Sequence, residues 1–255
     1  MRGVEALVRA VRAELLALVG AVQFLTVLPL RRSWALTAAD FGRAAAYYPA
    51  VGLALGALLR ALGAFAGAVW PRPLAQAVLL AAWVGLTGAL HLDGFLDLCD
   101  GLFGGRDAAA RLRIMRDERL GAFAFAGGSL LLLLKLSALS VEPAGRGVLL
   151  APALGRSAMV LAIVSFPYAR KEGLGLAVKL GTSWERAGVA ALTGLGASLL
   201  ALGWLGLLAF ALAVILALAL GRWLQAKLGG LTGDCYGAIC EVVELAVLLF
   251  AAAVA

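Results

Sequence analysis

The chain has one histidine and three cysteines among 255 residues, and charged residues make up only 15% of it. The cysteines, Cys99, Cys235 and Cys240, form no CxxC pair and no zinc spacing, so they read as small apolar side chains in a reducing compartment. There is no Walker A loop, no GxGxxG behind a strand and no Ser/His/Asp set. Any handling of phosphate would therefore rest on metal and arginine. No repeat of fixed period or low-complexity linker appears. No polar segment exceeds about thirty residues, which leaves little room for a soluble domain. The N-terminus does not look like a cleavable signal, because Arg2, Glu5, Arg9, Arg12 and Glu14 alternate with apolar residues. That pattern suits a helix lying at a membrane interface.

What is present is apolar. The chain is 63% hydrophobic with a mean hydropathy of +0.98, against about 45–50% apolar content in soluble proteins. Apolar runs fit to cross roughly 30 Å of hydrocarbon recur at 44–59, 74–90, 120–134, 147–169 and 187–221. The 187–221 run is long enough for a hairpin turning near Gly203-Trp204-Leu205-Gly206, and 245–255 ends a further helix starting near Ala238. The expected fold is all-α and polytopic, a single membrane domain over 1–255. It has about seven transmembrane helices and an N-terminal interfacial or re-entrant segment. Residues 15–30 are apolar but short, contain Gln23 and stop at Pro29, so they are compatible with a re-entrant or tilted segment or with a full span.

The net charge of +7 does not imply a nucleic-acid partner, because the basic residues sit in short loops where lipid headgroups and topology account for them. Basic residues crowd the segments 91–121, 167–186 and 222–237, whereas 70–73 and 141–146 hold one each, Arg72 and Arg146. The positive-inside rule puts the three rich segments in the cytoplasm, and counting spans puts all three on one face together with Arg31, Arg32 and Arg43. The C-terminus then lies outside.

The acids are the anomaly. "HLDGFLDLCDG", residues 91–101, places Asp93, Asp97 and Asp100 directly behind His91. If the segment continues helically from the 74–90 span, spacings of four and seven put these acids on one helix face. Their mutual repulsion is relieved by a divalent cation, and hard oxygen ligands with a phosphate substrate suit Mg²⁺. An acid-capped helix end in solvent is the alternative. A second group, "GGLTGDCYGAICEVVE" at 229–244, carries Asp234, Glu241 and Glu244. Helix capping explains Asp234, but not two glutamates that approach the hydrocarbon. Between the two groups, Arg106, Arg111, Arg113, Arg116 and Arg119 could neutralise a pyrophosphate or hold the chain to anionic lipid, and Gly104-Gly105 allow close backbone approach. Arg156, inside an apolar run, needs an acidic partner or a phosphate. His91 is a candidate general base or an interfacial hydrogen-bonding residue.

These segments, with "FLTVLP" (24–29), "YYPAVGLALG" (47–56), "RLRIMRDERLGAFAF" (111–125), "GRS" (155–157) and "YARKEGLG" (168–175), resemble the cobalamin synthase family, also called adenosylcobinamide-GDP ribazoletransferases. The resemblance runs over about residues 20 to 250 in order; Glu118 and Arg113 depart from the usual pattern. It implies an integral membrane enzyme, in the inner membrane with its site facing the cytoplasm, that requires Mg²⁺. Such an enzyme joins adenosylcobinamide-GDP to α-ribazole or its 5′-phosphate and releases GMP.

Carried over to this chain, His91, Asp93 and Asp97 are the expected catalytic residues, and Asp93, Asp97, Asp100, Asp234 and Glu241 the metal ligands. Substrate binding is expected at Gly104, Gly105, Arg106, Arg116, Asp117 and Arg119, and further along at Arg156, Thr232, Gly233 and Glu244. A CDP-alcohol phosphotransferase or a membrane prenyltransferase is the enzyme alternative, though the DG-xx-AR element of the former and a second DDxxD-like cluster are missing. A transporter would hold its acids mid-span rather than at span ends.

Overall fold

The computed structural model describes residues 2–28, 38–141 and 145–254. Arg31, Arg32 and the last residue of "FLTVLP" lie outside them. Among the described residues the chain is a helical bundle: α1 (Arg2–Leu25), α2 (Ala38–Ala44), a 3₁₀ turn (Ala45–Tyr47), α3 (Tyr48–Val69), α4 (Arg72–Leu86), α5 (Leu90–Gly104), α6 (Ala108–Ile114), α7 (Ala122–Val141), α8 (Arg146–Ser165), α9 (Leu174–Gly181), α10 (Trp184–Leu202), α11 (Leu205–Leu228) and α12 (Gly233–Ala253).

Local chemistry sets the boundaries. Asp107, Ser183 and Thr232 accept backbone N–H groups at the starts of α6, α10 and α12, and prolines sit in the first turns of α3 and α4. The central helix is α8, buried along nearly its whole length and packed by α3, α10, α11 and α12. Its closest partner is α3, because Gly52 and Gly56 lie one turn apart on the face that meets it. A Cβ on Gly52 would fall 2.4 Å from the Pro152 carbonyl oxygen, and one on Gly56 would fall 2.2 Å from that of Leu149. Two small residues so spaced let membrane helices approach to backbone contact.

Five of these helical segments are long and apolar enough to cross a membrane, and a sixth counts if α4 and α5 are one broken span. This is fewer than the seven expected. The 187–221 hairpin forms and turns at Gly203, but α10 starts with the charged pair Glu185 and Arg186 in its first turn. The 74–90 run does not continue into the acids: α4 stops at Leu86 and α5 leaves at 88°. The bend is made by Gly88 (φ 59°) and Ala89 (φ 57°), a left-handed pair in which alanine is strained. Val27 N–H donates to the Leu86 carbonyl at 2.9 Å and ties the end of α1 to this bend.

Residues 2–25 form one continuous helix that is not among the spans. Val4, Leu7, Val8, Val11 and Leu15 are exposed along it, while Ala17, Ala21 and Leu25 are buried against the bundle. Glu14 anchors it, accepting hydrogen bonds from Tyr47 Oη at 2.7 Å and from Arg186 at 2.8 and 2.6 Å.

Candidate active site

One end of the bundle gathers the end of α8, the end of α11, the starts of α7 and α12, and all of α5. Two connections there are stitched by backbone: Ala169 N–H donates to the Leu231 carbonyl and Leu231 N–H to that of Pro167, both at 2.8 Å. The stitch fixes Arg170 beside the start of α12, where its guanidinium donates to Asp234 at 2.9 Å. Arg111 reaches across from α6 to the Lys227 carbonyl at 3.1 Å.

Helix α5 packs between α12 and α7. Its contact with α12 is close because Gly94 faces the Asp234 backbone; a Cβ there would lie 2.8 Å from Asp234 Cα. Gly237 returns the same contact toward the His91 carbonyl. These two glycines bring Asp93 and Asp97, on either side of Gly94, up to Asp234. The charges of Asp93, Asp234, Arg170 and Asp100 are all felt at Asp97. Among the described residues no cation or hydrogen-bond donor reaches the carboxylates of Asp93 or Asp97.

Two acids expected among the metal ligands are otherwise engaged. Asp100 accepts Gly121 N–H at 2.7 Å and Ala124 N–H at 2.8 Å, one on each oxygen, and so caps the start of α7. Glu241 lies deep in the bundle, at 2.6 Å from Lys135 Nζ. The same lysine meets Glu244 at 2.7 Å, and Arg156 Nη1 donates to the other oxygen of Glu244. Arg156 and Glu244 are therefore partners of each other in a buried cluster of two cations and two anions, not groups lining a cleft. Lys135 Nζ also lies 4.8 Å from the Trp83 ring centroid.

Three of the cluster's four members were legible in the sequence. Arg156, Glu241 and Glu244 stood out, but Lys135 was missed although a lone lysine inside "SLLLLLKLSALS" carries the same signal of an intramembrane partner. His91, Cys240 and Glu244 place ligand atoms within 4.8 Å of one another. Lys135 and Arg156 already occupy both oxygens of Glu244, so a further cation there meets two positive charges.

Two cavities meet at the acids. One of about 640 Å³ is bordered by His91, Asp93, Arg116, Tyr168, Arg170, Glu172, Gly233 and Asp234, with glycines and aromatic and aliphatic side chains as the remainder. The other, about 300 Å³, is bordered by Asp93, Asp97 and Asp100 on one side and Arg116, Asp117, Glu118 and Arg119 on the other. Asp93 and Arg116 border both. Arg119 donates to Asp117 at 2.9 and 2.7 Å, and these hydrogen bonds hold the Asp117 carboxyl down at about 2. Gly104, Gly105 and Arg106 border neither cavity, and Gly105 instead packs against Arg111. Thr232 is buried as the cap of α12. Tyr48, Tyr236 and Leu174, which sequence reasoning did not single out, border the larger cavity; their aromatic or apolar character gave no signal distinct from the core.

The arrangement defines a polytopic helical membrane protein with an acid- and arginine-lined cleft at one end of its bundle, suited to a phosphorylated substrate. A model of the Cobalamin-5-phosphate synthase family matches residues 17–252, and the chain belongs to that family. A protein of Stutzerimonas stutzeri (strain A1501) named adenosylcobinamide-GDP ribazoletransferase is 45% identical over 242 residues, 92% of this chain and 97% of the relative. Proteins of the same name from Roseiflexus sp. (strain RS-1) and Thermosynechococcus vestitus (strain NIES-2133 / IAM M-273 / BP-1) are 39% and 40% identical. They cover 89% and 90% of this chain and 86% and 93% of their own lengths. No solved structure gives a significant match.

Proposed function

We propose that this chain is a membrane transferase that joins adenosylcobinamide-GDP to α-ribazole, or to its 5′-phosphate, and releases GMP in the final assembly of cobalamin. The observation that carries the reading is the convergence of Asp93 and Asp97 on Asp234 through the Gly94 contact, with Arg116 and Arg170 beside them.

In the reaction a ribose hydroxyl of the acceptor attacks the phosphorus that bears the cobinamide linker. A new P–O bond forms, the bond to the bridging oxygen of the pyrophosphate breaks, and GMP leaves with that oxygen. Asp93 is exposed and borders both cavities, so it is placed to take the hydroxyl proton. His91 is buried at the wall of the larger cavity. Arg116 borders both cavities and holds the pyrophosphate, and Arg170 sets the Asp234 carboxylate at 2.9 Å.

The donor set fits a hard cation: carboxylate oxygens without partners at Asp93 and Asp97, brought beside the Asp234 carboxylate by the close α5–α12 contact at Gly94. Asp93, Asp97 and Asp234 would hold Mg²⁺, with Asp100 and Glu241 outside the set. Bound there, Mg²⁺ supplies positive charge against the pyrophosphate and the departing GMP. The site is assigned to the cytoplasmic face of the inner membrane, on the strength of the basic segments around it.

The test is GMP release by purified protein given adenosylcobinamide-GDP and α-ribazole with Mg²⁺. Wild type should release GMP, and Asp97→Asn should lose at least a hundredfold in rate with its melting temperature unchanged. Wild type that releases no GMP overturns the function. A fully active Asp97→Asn retires the metal assignment.

A further inference from the structure

The larger cavity has a character the acids do not explain. Two aromatic pairs stand on its wall: Phe24 with Tyr48, ring centroids 5.8 Å apart and stacked, and Tyr168 with Tyr236, 6.2 Å apart and tilted. Leu90, Met159, Ile163, Leu174 and Val178 fill much of the rest. Against this apolar wall, three polar atoms are buried without a hydrogen-bond partner: Tyr48 Oη, Tyr236 Oη and His91 Nε2. Their residues are 0%, 4% and 4% exposed. A buried polar group is costly to leave unpaired, so three on residues of one wall mark a place for a ligand with polar atoms of its own. The charged groups, Asp93, Arg116, Arg170, Glu172 and Asp234, are part of the same wall, and Asp93 and Arg116 also border the acid cleft.

We propose that this cavity is the acceptor subsite and takes the fused aromatic base of the ribazole, so that the nucleoside lies between the tyrosines with its ribose at Asp93. The inference rests on the transferase reading and adds which substrate goes where. Size decides between the two substrates. A nucleoside of about 20 non-hydrogen atoms needs roughly 300 Å³, at the lower end of ligand pockets, and fits within the 640 Å³ found. The cobinamide macrocycle with its guanosine diphosphate is several times larger than a nucleoside and does not fit.

Chemistry agrees with size. A flat base stacks on aromatic rings, and its unsubstituted ring nitrogen is an acceptor for a tyrosine hydroxyl. The pyrophosphate of the other substrate then lies in the polar cavity among Arg116, Asp117 and Arg119, and the two substrates meet where Asp93 and Arg116 border both spaces.

Steady-state kinetics with each substrate varied in turn, together with calorimetric binding of α-ribazole alone, test this. Tyr236→Phe and Tyr48→Phe should each raise the KM for α-ribazole about two- to tenfold, the worth of one neutral hydrogen bond. The KM for adenosylcobinamide-GDP should stay within twofold. Leu174→Trp, at a residue 47% exposed on the wall, should weaken α-ribazole binding more than tenfold by filling the space, and decides the matter if a tyrosine variant fails to fold. A rise confined to adenosylcobinamide-GDP, or α-ribazole binding unchanged in all three, overturns the proposal. Wild type that binds α-ribazole but releases no GMP supports the subsite while the transferase reading fails.

Discussion

Replacing Lys135 with methionine removes the cation that meets Glu241 at 2.6 Å and Glu244 at 2.7 Å. Methionine retains most of the length and sets a thioether in place of the ammonium beside the Trp83 ring. Arg156 stays on Glu244, so Glu241 alone loses its neutralising partner. A carboxyl in that position is cheapest when it takes up a proton. At pH 7, protonating a group that titrates near 4.3 in water costs about 3.7 kcal/mol, at 1.36 kcal/mol per pH unit. The figure falls within the about 3–5 kcal/mol lost when one side of a buried ion pair is removed.

Unfolding of the purified protein by denaturing detergent should therefore show Lys135→Met destabilised by about 4 kcal/mol at pH 7. At pH 5 the same protonation costs only about 1 kcal/mol, and the gap to wild type should narrow accordingly. Lys135→Met/Glu241→Gln, which removes both charges, should recover most of the loss. A single variant as stable as wild type at pH 7, or a deficit that persists unchanged at pH 5, refutes the reasoning.

Gly94→Ala forces a Cβ to within 2.8 Å of Asp234 Cα; it should cost at least tenfold in GMP release while the protein still folds, and full activity would dissolve the α5–α12 argument. For topology, single cysteines in a cysteine-free background should react with an impermeant reagent from outside at Gly145 and not at Ala109, and the reverse pattern inverts the orientation. The Glu14 carboxyl is held down at about 2, first by the Arg186 hydrogen bond and then by that of Tyr47. Its folded value lies below the ordinary 4.5, so the stability it contributes is complete above about pH 4.5 and fades as the pH falls toward 2. The deficit of Glu14→Gln, about 1 kcal/mol at most for a pair this exposed, should be flat from pH 8 to 5 and shrink below; a deficit that grows on acidification contradicts it.

The helical class and the approach of Asp93 and Asp97 to Asp234 were legible, because an apolar chain leaves few polar residues to choose among. The four-and-three spacing of Asp93, Asp97 and Asp100 did lie on one helix, α5. What the spacing could not reveal was that the face is shared by two jobs. Asp100 belongs to α7 through the amides of Gly121 and Ala124, a contact 21 and 24 residues away that no local pattern marks. Glu241 and Glu244 were read with the cleft because their true partners come from α7 and α8, about 100 residues distant. The bend at Thr87-Gly88-Ala89 was hidden for another reason: an alanine at φ 57° is a strained choice that composition does not announce. Tertiary contact, not propensity, decides each of these cases.

The backbone stitch between Pro167–Ala169 and Leu231 makes two connections, far apart in the chain, into one mechanical part. Their lengths are consequently not free to drift separately: a residue inserted between Leu231 and Asp234 would slide Arg170 off Asp234 even if every helix stayed whole. An engineer wishing to graft a tag or a reporter into this protein has room at the opposite end, where the α10–α11 turn runs through exposed Gly203 and Trp204. At the stitched end, the connections are as much a part of the machine as the helices that they join.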